Sequence, residues 1–469
     1  LLPFSFAFIW FLREENRAWI LDKWPFLGRP GRFSPAWSEW NTRLAVLLFC
    51  LAMVILREPS LMIHPRFWAE EGTGWFQFAA SHSFLQSLFY VYPETGYFNL
   101  FDNLAAICAS RTAAWLGLAY APAVTTLAGF SAQAAVFVLI LFGRSRLFDS
   151  LYKSIAGCLL ALFAPTVTDE AWLNSTNAAV YLGVVSLLLL FDRPWMWPVW
   201  ARWLSRLVLV LCALSSPYSV ALIPLFFGVA WREKRSEQKI QVIILAVCLI
   251  AQAGVAAHSR ATGASAWKKR GTDVRLTKEL LDVFYHHVVT PALGSPANEA
   301  LIRTMGIREA EEAASSFVPF AYSDSEPFAA ALCFVLTVGI LWNLRAPHLF
   351  GLQNLLLATF LLLSSFVCVS SLSDVPSGRY AILPGFLFLL LLLENVHHSP
   401  SRARAAVCTG VLALTLASGA ISYLISGAHM QKGPAWSEQV RLWEGDHRHQ
   451  LLVWPAWWAE DHGGISYND

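Results

Sequence analysis

Long apolar runs dominate the chain, and polar residues are confined to short stretches between them. Runs long enough to cross a hydrocarbon core of about 30 Å lie near 43–57, 121–143, 151–165, 173–191, 240–257, 327–344, 349–371, 379–396 and 405–425, several of them short and extended by their flanks. A further stretch, 205–231, is broken by Ser215-Ser216-Pro217-Tyr218. Proline removes a backbone donor and crowds the preceding turn, so this stretch is a hairpin of two short helices or one kinked helix, and the hairpin is favoured.

Basic residues orient these spans, because Lys and Arg are retained on the cytoplasmic side. They cluster from Arg13 to Arg43, at Arg144, Arg146 and Lys153, at Arg193, Arg202 and Arg206, at Arg232, Lys234, Arg235 and Lys239, and at Arg402 and Arg404. All fall on one side only if 97–119 does not span, which gives about eleven spans with the N-terminus inside and the C-terminus outside. The polar positions Asn99, Asp102 and Asn103, three and four apart, form a wet stripe on that withheld segment and suit an interface helix or a cavity wall.

Composition agrees: 56% of the 469 residues are hydrophobic, 14% are charged and the mean hydropathy is +0.49, against about 25% charged in an average soluble domain. The net charge of +2 selects no partner. The eight cysteines all sit in apolar runs without CxxC spacing and read as small buried hydrophobes. The predicted fold class is therefore an all-α polytopic membrane protein. It divides into a cytoplasmic or interfacial segment 1–42, a transmembrane domain 43–425 with outer loops 58–120 and 258–326, and an extracytoplasmic Trp-rich tail 426–469. The run Leu1–Leu12 is apolar but too short to span, and the chain is expected to continue upstream of Leu1. Within the second outer loop, Leu276, Leu280, Leu281, Phe284 and Val288 face one way and Lys278, Glu279, Asp282 and His286 the other, the pattern of a surface-lying amphipathic helix.

Candidate chemistry gathers on the outer side. The first outer loop contains His64-Pro65-Arg66-Phe67-Trp68-Ala69-Glu70-Glu71-Gly72, two adjacent carboxylates among aromatics, which partial desolvation can tune toward general-base work. The bland reading of the same acids is a solvated helix start. Tyr92-Pro93-Glu94-Thr95-Gly96-Tyr97-Phe98 repeats the aromatic-polar theme, and either contacts substrate or belongs to an interfacial belt. Asp169-Glu170 occupies the second outer turn. Arg379-Tyr380 stands at the outer mouth of a late span, where a cation runs against the charge bias and suggests phosphate pairing, or else an ion pair with Asp374. Lys268, Lys269 and Arg270 add outer charge, and His286-His287 and His447-x-His449 are too isolated for a metal site. No Walker loop, dinucleotide fingerprint, nucleophile elbow, HExxH or basic-aromatic array is present, so soluble nucleotide chemistry and nucleic-acid partners are unsupported.

This order of motifs resembles the GT-C membrane glycosyltransferases, which take a sugar from a polyprenyl-phosphate carrier on the extracytoplasmic side. Phe67-Trp68-Ala69-Glu70-Glu71-Gly72 is similar to their first-loop acidic motif, followed by interface helices. Tyr92-Pro93 and Gly96-Tyr97-Phe98 are similar to their aromatic-Pro segment, Asp169-Glu170 to their second outer acid, and Arg379-Tyr380 to the pair directed at the carrier phosphate. Ser215-Ser216 departs from relatives with a Lys before the Pro.

The resemblance implies a GT-C-like bundle of about eleven helices with extracytoplasmic interface helices, in a bacterial inner membrane with the active site facing outward. Glu71, or Glu70, would be the base. Arg379, Tyr380, Tyr97, Tyr92, Asp169, Glu170 and His64 would contact substrate or carrier. The partners would be a polyprenyl-phosphate-linked sugar, a glycan, lipid or protein acceptor, and membrane lipids. No metal ligand is assigned and no cofactor is implied, although Glu71 with Asp169 could hold a divalent cation and metal dependence stays open. Competing classes are a lipid or glycan transporter or flippase, disfavoured by the near absence of charges and repeats within the spans, and a non-catalytic envelope assembly subunit docking through Trp436, Trp443, Trp454, Trp457 and Trp458.

Overall fold

The computed structural model describes residues 35–164, 169–263, 276–294, 308–309, 320–321, 326–347, 351–370, 378–399, 401–424, 433–455, 458 and 463–467. The chain is helical, with a two-residue antiparallel pair, Arg308–Glu309 with Phe320–Ala321. Among the described residues, seven helices are long and apolar enough to cross a membrane: Glu39–Arg57, Leu118–Phe142, Ser236–Ala261, Pro327–Leu344, Leu352–Ser370, Gly378–His398 and Arg402–Tyr423. This is an integral membrane protein.

Four further expected spans are shorter helices: Leu151–Phe163, Ala178–Leu190, Val199–Ala213 and Ile223–Glu233. Thirteen residues, as in the first two, rise about 20 Å, less than a bilayer core. The expected run 173–191 is shortened because Asn174, Ser175, Thr176 and Asn177 fold as a polar turn before the helix starts at Ala178.

The break at Ser215-Ser216 does make a hairpin. Arg206, midway along Val199–Ala213, grips Glu237 near the start of Ser236–Ala261 at 2.8 Å, and Ala213 O at the helix end accepts from Gln252 Nε2 at 3.3 Å, so these two helices run side by side in the same direction. Ile223–Glu233 returns in the opposite direction against Ser236–Ala261 and ends one tight turn before Ser236.

Polar contacts sort the two ends of the bundle. At one end Arg43 donates to Leu141 O, Arg146 pairs with Glu233, Arg144 N–H donates to Asp192 at 2.7 Å, and buried Lys153 lies 3.2 Å from buried Glu394. At the other, Trp172 Nε1 donates to Val54 O at 3.1 Å, Arg57 lies 4.4 Å over the Trp172 ring, and Phe163 meets Tyr423 with ring centroids 5.0 Å apart. The described basic clusters thus share an end, and the loop after Arg57 stands at the opposite one; Arg13 to Arg32 lie outside the described residues.

The segment 97–119 contains the helix Leu100–Leu116, which is not among the seven. Its stripe is not wet, however: Asn99, Asp102 and Asn103 are all buried, and Asn103 Nδ2 donates to Leu88 O and Tyr90 O at 2.9 Å. Leu104, Cys108 and Trp115 are exposed instead. Apolar side chains cost nothing against lipid, whereas an amide there would lose its partners, so the polar face turns inward. The same logic corrects the second loop. In the helical run Leu276–Asp282 and Val283–Val289, Leu281, Phe284 and Val288 are buried, but so is Asp282 on the supposedly solvated face. Seven cysteines are buried; Cys108 is exposed.

The tail is a cap folded onto the first outer loop. Trp454 N–H donates to Phe67 O at 3.0 Å and Trp454 O accepts from Ala69 N–H, a parallel bridge between the segments. Phe67 packs edge-on against Trp436 at 5.0 Å, Trp458 Nε1 donates to Thr73 at 3.2 Å, and Trp436 Nε1 donates to Leu118 O at 3.1 Å. Trp436, Trp443, Trp454 and Trp458 are therefore buried within the chain rather than presented to a partner; Trp457 lies outside the described residues.

Candidate functional site

The two acids of the first loop follow Ala69, whose φ of 40° lies in the left-handed region. A residue with a Cβ adopts it at a cost of about 1–3 kcal/mol, and persists there when its surroundings dictate the conformation. The Trp454 bridge provides that restraint, and Gly72 allows it: a Cβ at Gly72 would lie 2.6 Å from Val453 and 2.9 Å from Ile465 of the tail.

Glu71 points inward and is 2% exposed. Its Oε1 accepts from the Ser175 N–H and, at 2.8 Å, from Ser175 Oγ; its Oε2 accepts from Trp68 N–H at 3.0 Å and Thr125 Oγ1 at 3.3 Å. Four donors from three parts of the chain reach the carboxylate, the Thr125 hydroxyl sharing its single proton with Pro122 O at 3.0 Å. Burial raises its pKa, and these hydrogen bonds pull it back down.

Glu70, one residue earlier, faces the other way. It is half-buried, with Arg379 the cation facing it and the carboxylates of Glu170 and Glu94 nearby. Desolvation raises its pKa, opposed by Arg379 and reinforced by the two like charges. Tyr92 closes one side. Its ring lies 4.9 Å from that of Trp75, and its hydroxyl is pushed up by burial and then by Glu94 and Glu70.

Arg379 enters from the single turn Gly378–Ala381 at the head of the Gly378–His398 helix. One of its amino nitrogens donates to Glu170 Oε1 at 2.6 Å and to Asn177 Oδ1 at 2.8 Å; the other has Tyr380 Oη at 3.4 Å. The Arg379 and Glu170 side chains keep 22% and 24% of their surface, so the pair is reachable from outside the bundle. Asn174 and Asn177 side-chain amides donate to Glu170 O at 2.7 and 2.8 Å and hold the turn in place. Here too the chain passes through a left-handed residue, Leu173 at φ 51°.

The structure therefore brings together Glu70, Glu71, Tyr92, Glu170, Arg379 and Tyr380. Arg379 pairs with Glu170; Asp374, the partner weighed from sequence, lies outside the described residues, as do Lys268, Lys269, Arg270 and the Asp169 side chain. Tyr97 is partly buried on the same loop, with its carbonyl 3.3 Å from Thr95 Oγ1. His64 is exposed and makes no recorded bond to the cluster.

Sequence reasoning missed Ser175, Thr125 and Asn177. Their one signal was the polar run 174–177 interrupting an apolar stretch; Thr125 had none. No group of three or more His, Cys, Asp or Glu able to hold a metal ion occurs among the described residues, and Glu71 does not fit the role, since N–H and O–H donors occupy its oxygens. His449 bonds Gln439 at 3.0 Å and His447 packs against Trp443. No protein-family model, curated protein or solved structure matches the chain.

Proposed function

We propose that the chain is a membrane glycosyltransferase of the GT-C type, an inner-membrane protein of about eleven spans. It moves a sugar from a polyprenyl-phosphate carrier to a glycan, lipid or protein acceptor on the extracytoplasmic face. The observation that carries the reading is the convergence of half-buried Glu70 with the Arg379–Glu170 pair at the end of the bundle opposite the basic clusters. The charge bias makes that end extracytoplasmic.

Glu70 takes the base's role that the sequence motif first offered to Glu71. A base must reach the proton it removes, and Glu71 spends its lone pairs on four protein donors. Glu70 accepts the acceptor's hydroxyl proton as that oxygen attacks the anomeric carbon. The bond from that carbon to the carrier phosphate breaks, and the configuration inverts. Arg379 is held on one edge by Glu170 and Asn177 and offers its other edge to the departing phosphate, a preorganised charge that costs no reorganisation during reaction. Glu71 fixes the loop that aims Glu70.

The base works deprotonated and its pKa is raised, so transfer should rise with pH through a value above the ordinary carboxylate range. The test is transfer in vitro from a labelled polyprenyl-phosphate sugar with Glu70→Gln, Glu71→Gln and Arg379→Ala. Loss in Glu70→Gln and Arg379→Ala is expected; full activity in all three overturns the site.

A further inference from the structure

The mechanism above leaves unused a buried acid that lies beside Glu71. Asp102 is the third residue of the helix Leu100–Leu116; its N–H donates to the N-cap side chain Asn99 Oδ1 at 3.2 Å, and Asn99 Nδ2 donates to Asp102 Oδ2. The carboxyl is 1% exposed, and its Oδ1 has no hydrogen-bond partner. Ser175 stands between Asp102 and Glu71: its hydroxyl donates to Glu71 Oε1 at 2.8 Å and faces the Asp102 carboxyl.

A serine hydroxyl has one proton and two lone pairs. With the proton committed to Glu71, Ser175 Oγ shows Asp102 only lone pairs. An ionised Asp102 would then set a carboxylate oxygen against them, in a dry site, beside the charge on Glu71. A protonated Asp102 fits the same geometry, because its O–H can donate to Oγ and continue the chain.

We propose that Asp102 and Glu71 hold one proton between them across the Ser175 hydroxyl, as Asp102 Oδ1–H to Ser175 Oγ–H to Glu71 Oε1. The layer beneath Glu70 then carries a single negative charge. Burial is the first cause raising the Asp102 pKa; hydrogen bonds with Ser175 and Asn99 pull against it, Glu71 and Glu70 add to it, and the net direction is up. Those two are the titratable groups facing it from the Glu71–Phe76 turn and the residue before it. From the Asn174–Asn177 turn it meets neutral Ser175. The turn after Val199–Ala213 contributes neutral Ser215, which accepts from Phe101 N–H at 2.9 Å. The proposal rests on the transferase reading only in naming Glu70 as the base that this layer supports.

The experiment is infrared spectroscopy of the full chain in lipid vesicles at neutral pH, on wild type, on Asp102→Asn and on wild type carrying isotope-labelled aspartate. A protonated-carboxyl carbonyl band that moves with the label and is absent in Asp102→Asn is expected. Its absence from the labelled protein overturns the proposal even if the variant fails to fold.

Thermal unfolding against pH gives a second readout. A carboxyl whose folded pKa is raised contributes stability that is complete below its unfolded pKa and is lost as pH rises through the folded value. Wild type should therefore lose melting temperature with rising pH in a component that Asp102→Asn lacks. An ionised Asp102 serving only the helix N-terminus would give the opposite sign, stability lost as pH falls, and that result also overturns the proposal. Neither readout needs transfer, so a transferase reading that fails leaves both interpretable.

Discussion

Glu71→Gln separates the two adjacent acids most sharply. The carboxylate accepts four hydrogen bonds, two from backbone N–H groups, Trp68 and Ser175, and two from hydroxyls, Ser175 and Thr125, with one of each kind on each oxygen. Glutamine keeps one acceptor oxygen and puts an NH2 in place of the other. Whichever way the amide turns, a backbone N–H meets a donor. The hydroxyl beside it can rotate to accept, but the N–H cannot, and the site is too buried for water to replace the partner. One orphaned buried donor costs about 1–3 kcal/mol, and Glu71→Gln should destabilise the protein by about that amount. Glu70 is half-buried and holds no such set of donors, so Glu70→Gln should unfold with wild type while losing transfer. The assay is thermal unfolding of the purified protein in detergent, run beside the transfer measurement. Equal stability of Glu71→Gln and wild type, or an equal loss in Glu70→Gln, would refute the division of labour between positioning and base.

Further predictions follow from particular contacts. A methyl at Gly129 would lie 2.5 Å from Asn174 N and 2.7 Å from Asn174 O; Gly129→Ala should cost about 1–3 kcal/mol, and by moving the Ser175 turn it should reduce transfer more than its stability loss explains, measured at a temperature where the variant is folded. Trp454 is 1% exposed, bridges the first loop and carries Arg66 3.7 Å over its ring; Trp454→Ala should cost about 3–5 kcal/mol and expose the tail to limited proteolysis while the helical bundle stays intact by circular dichroism. Lys153 and Glu394 are buried partners, and without Lys153 the carboxylate keeps the exposed His398 side chain, 2.9 Å from its Oε1, so Lys153→Met should cost somewhat less than the ~3–5 kcal/mol of a fully stranded buried charge by thermal unfolding, and adding Glu394→Leu should restore most of it.

Seven of the span positions, the hairpin at Ser215-Ser216-Pro217 and the common end of the described basic clusters were legible in the sequence, because lipid imposes rules that act locally. A backbone in hydrocarbon must satisfy its own hydrogen bonds, and a run of apolar residues either reaches across or does not. The same locality marked Glu70, Glu71, Glu170 and Arg379 as acids and a cation out of place among aromatics. It could not assign their roles. Adjacent glutamates look alike in sequence, and their difference lies in Ser175 and Thr125, which are 104 and 54 residues away from Glu71 and satisfy one of the two acids alone. Periodicity found the stripe Asn99, Asp102 and Asn103 but read it outward, since amphipathicity names two faces without saying which solvent each meets. In a membrane the apolar face can be the outer one. Long-range packing decided these matters: the tail over the first loop, the polar turn under Glu71, and Arg379 paired with Glu170. The sequence by itself determined that acids and a cation stand beyond the spans; only the tertiary structure determined which carboxylate is held by protein donors and which is left facing the cation.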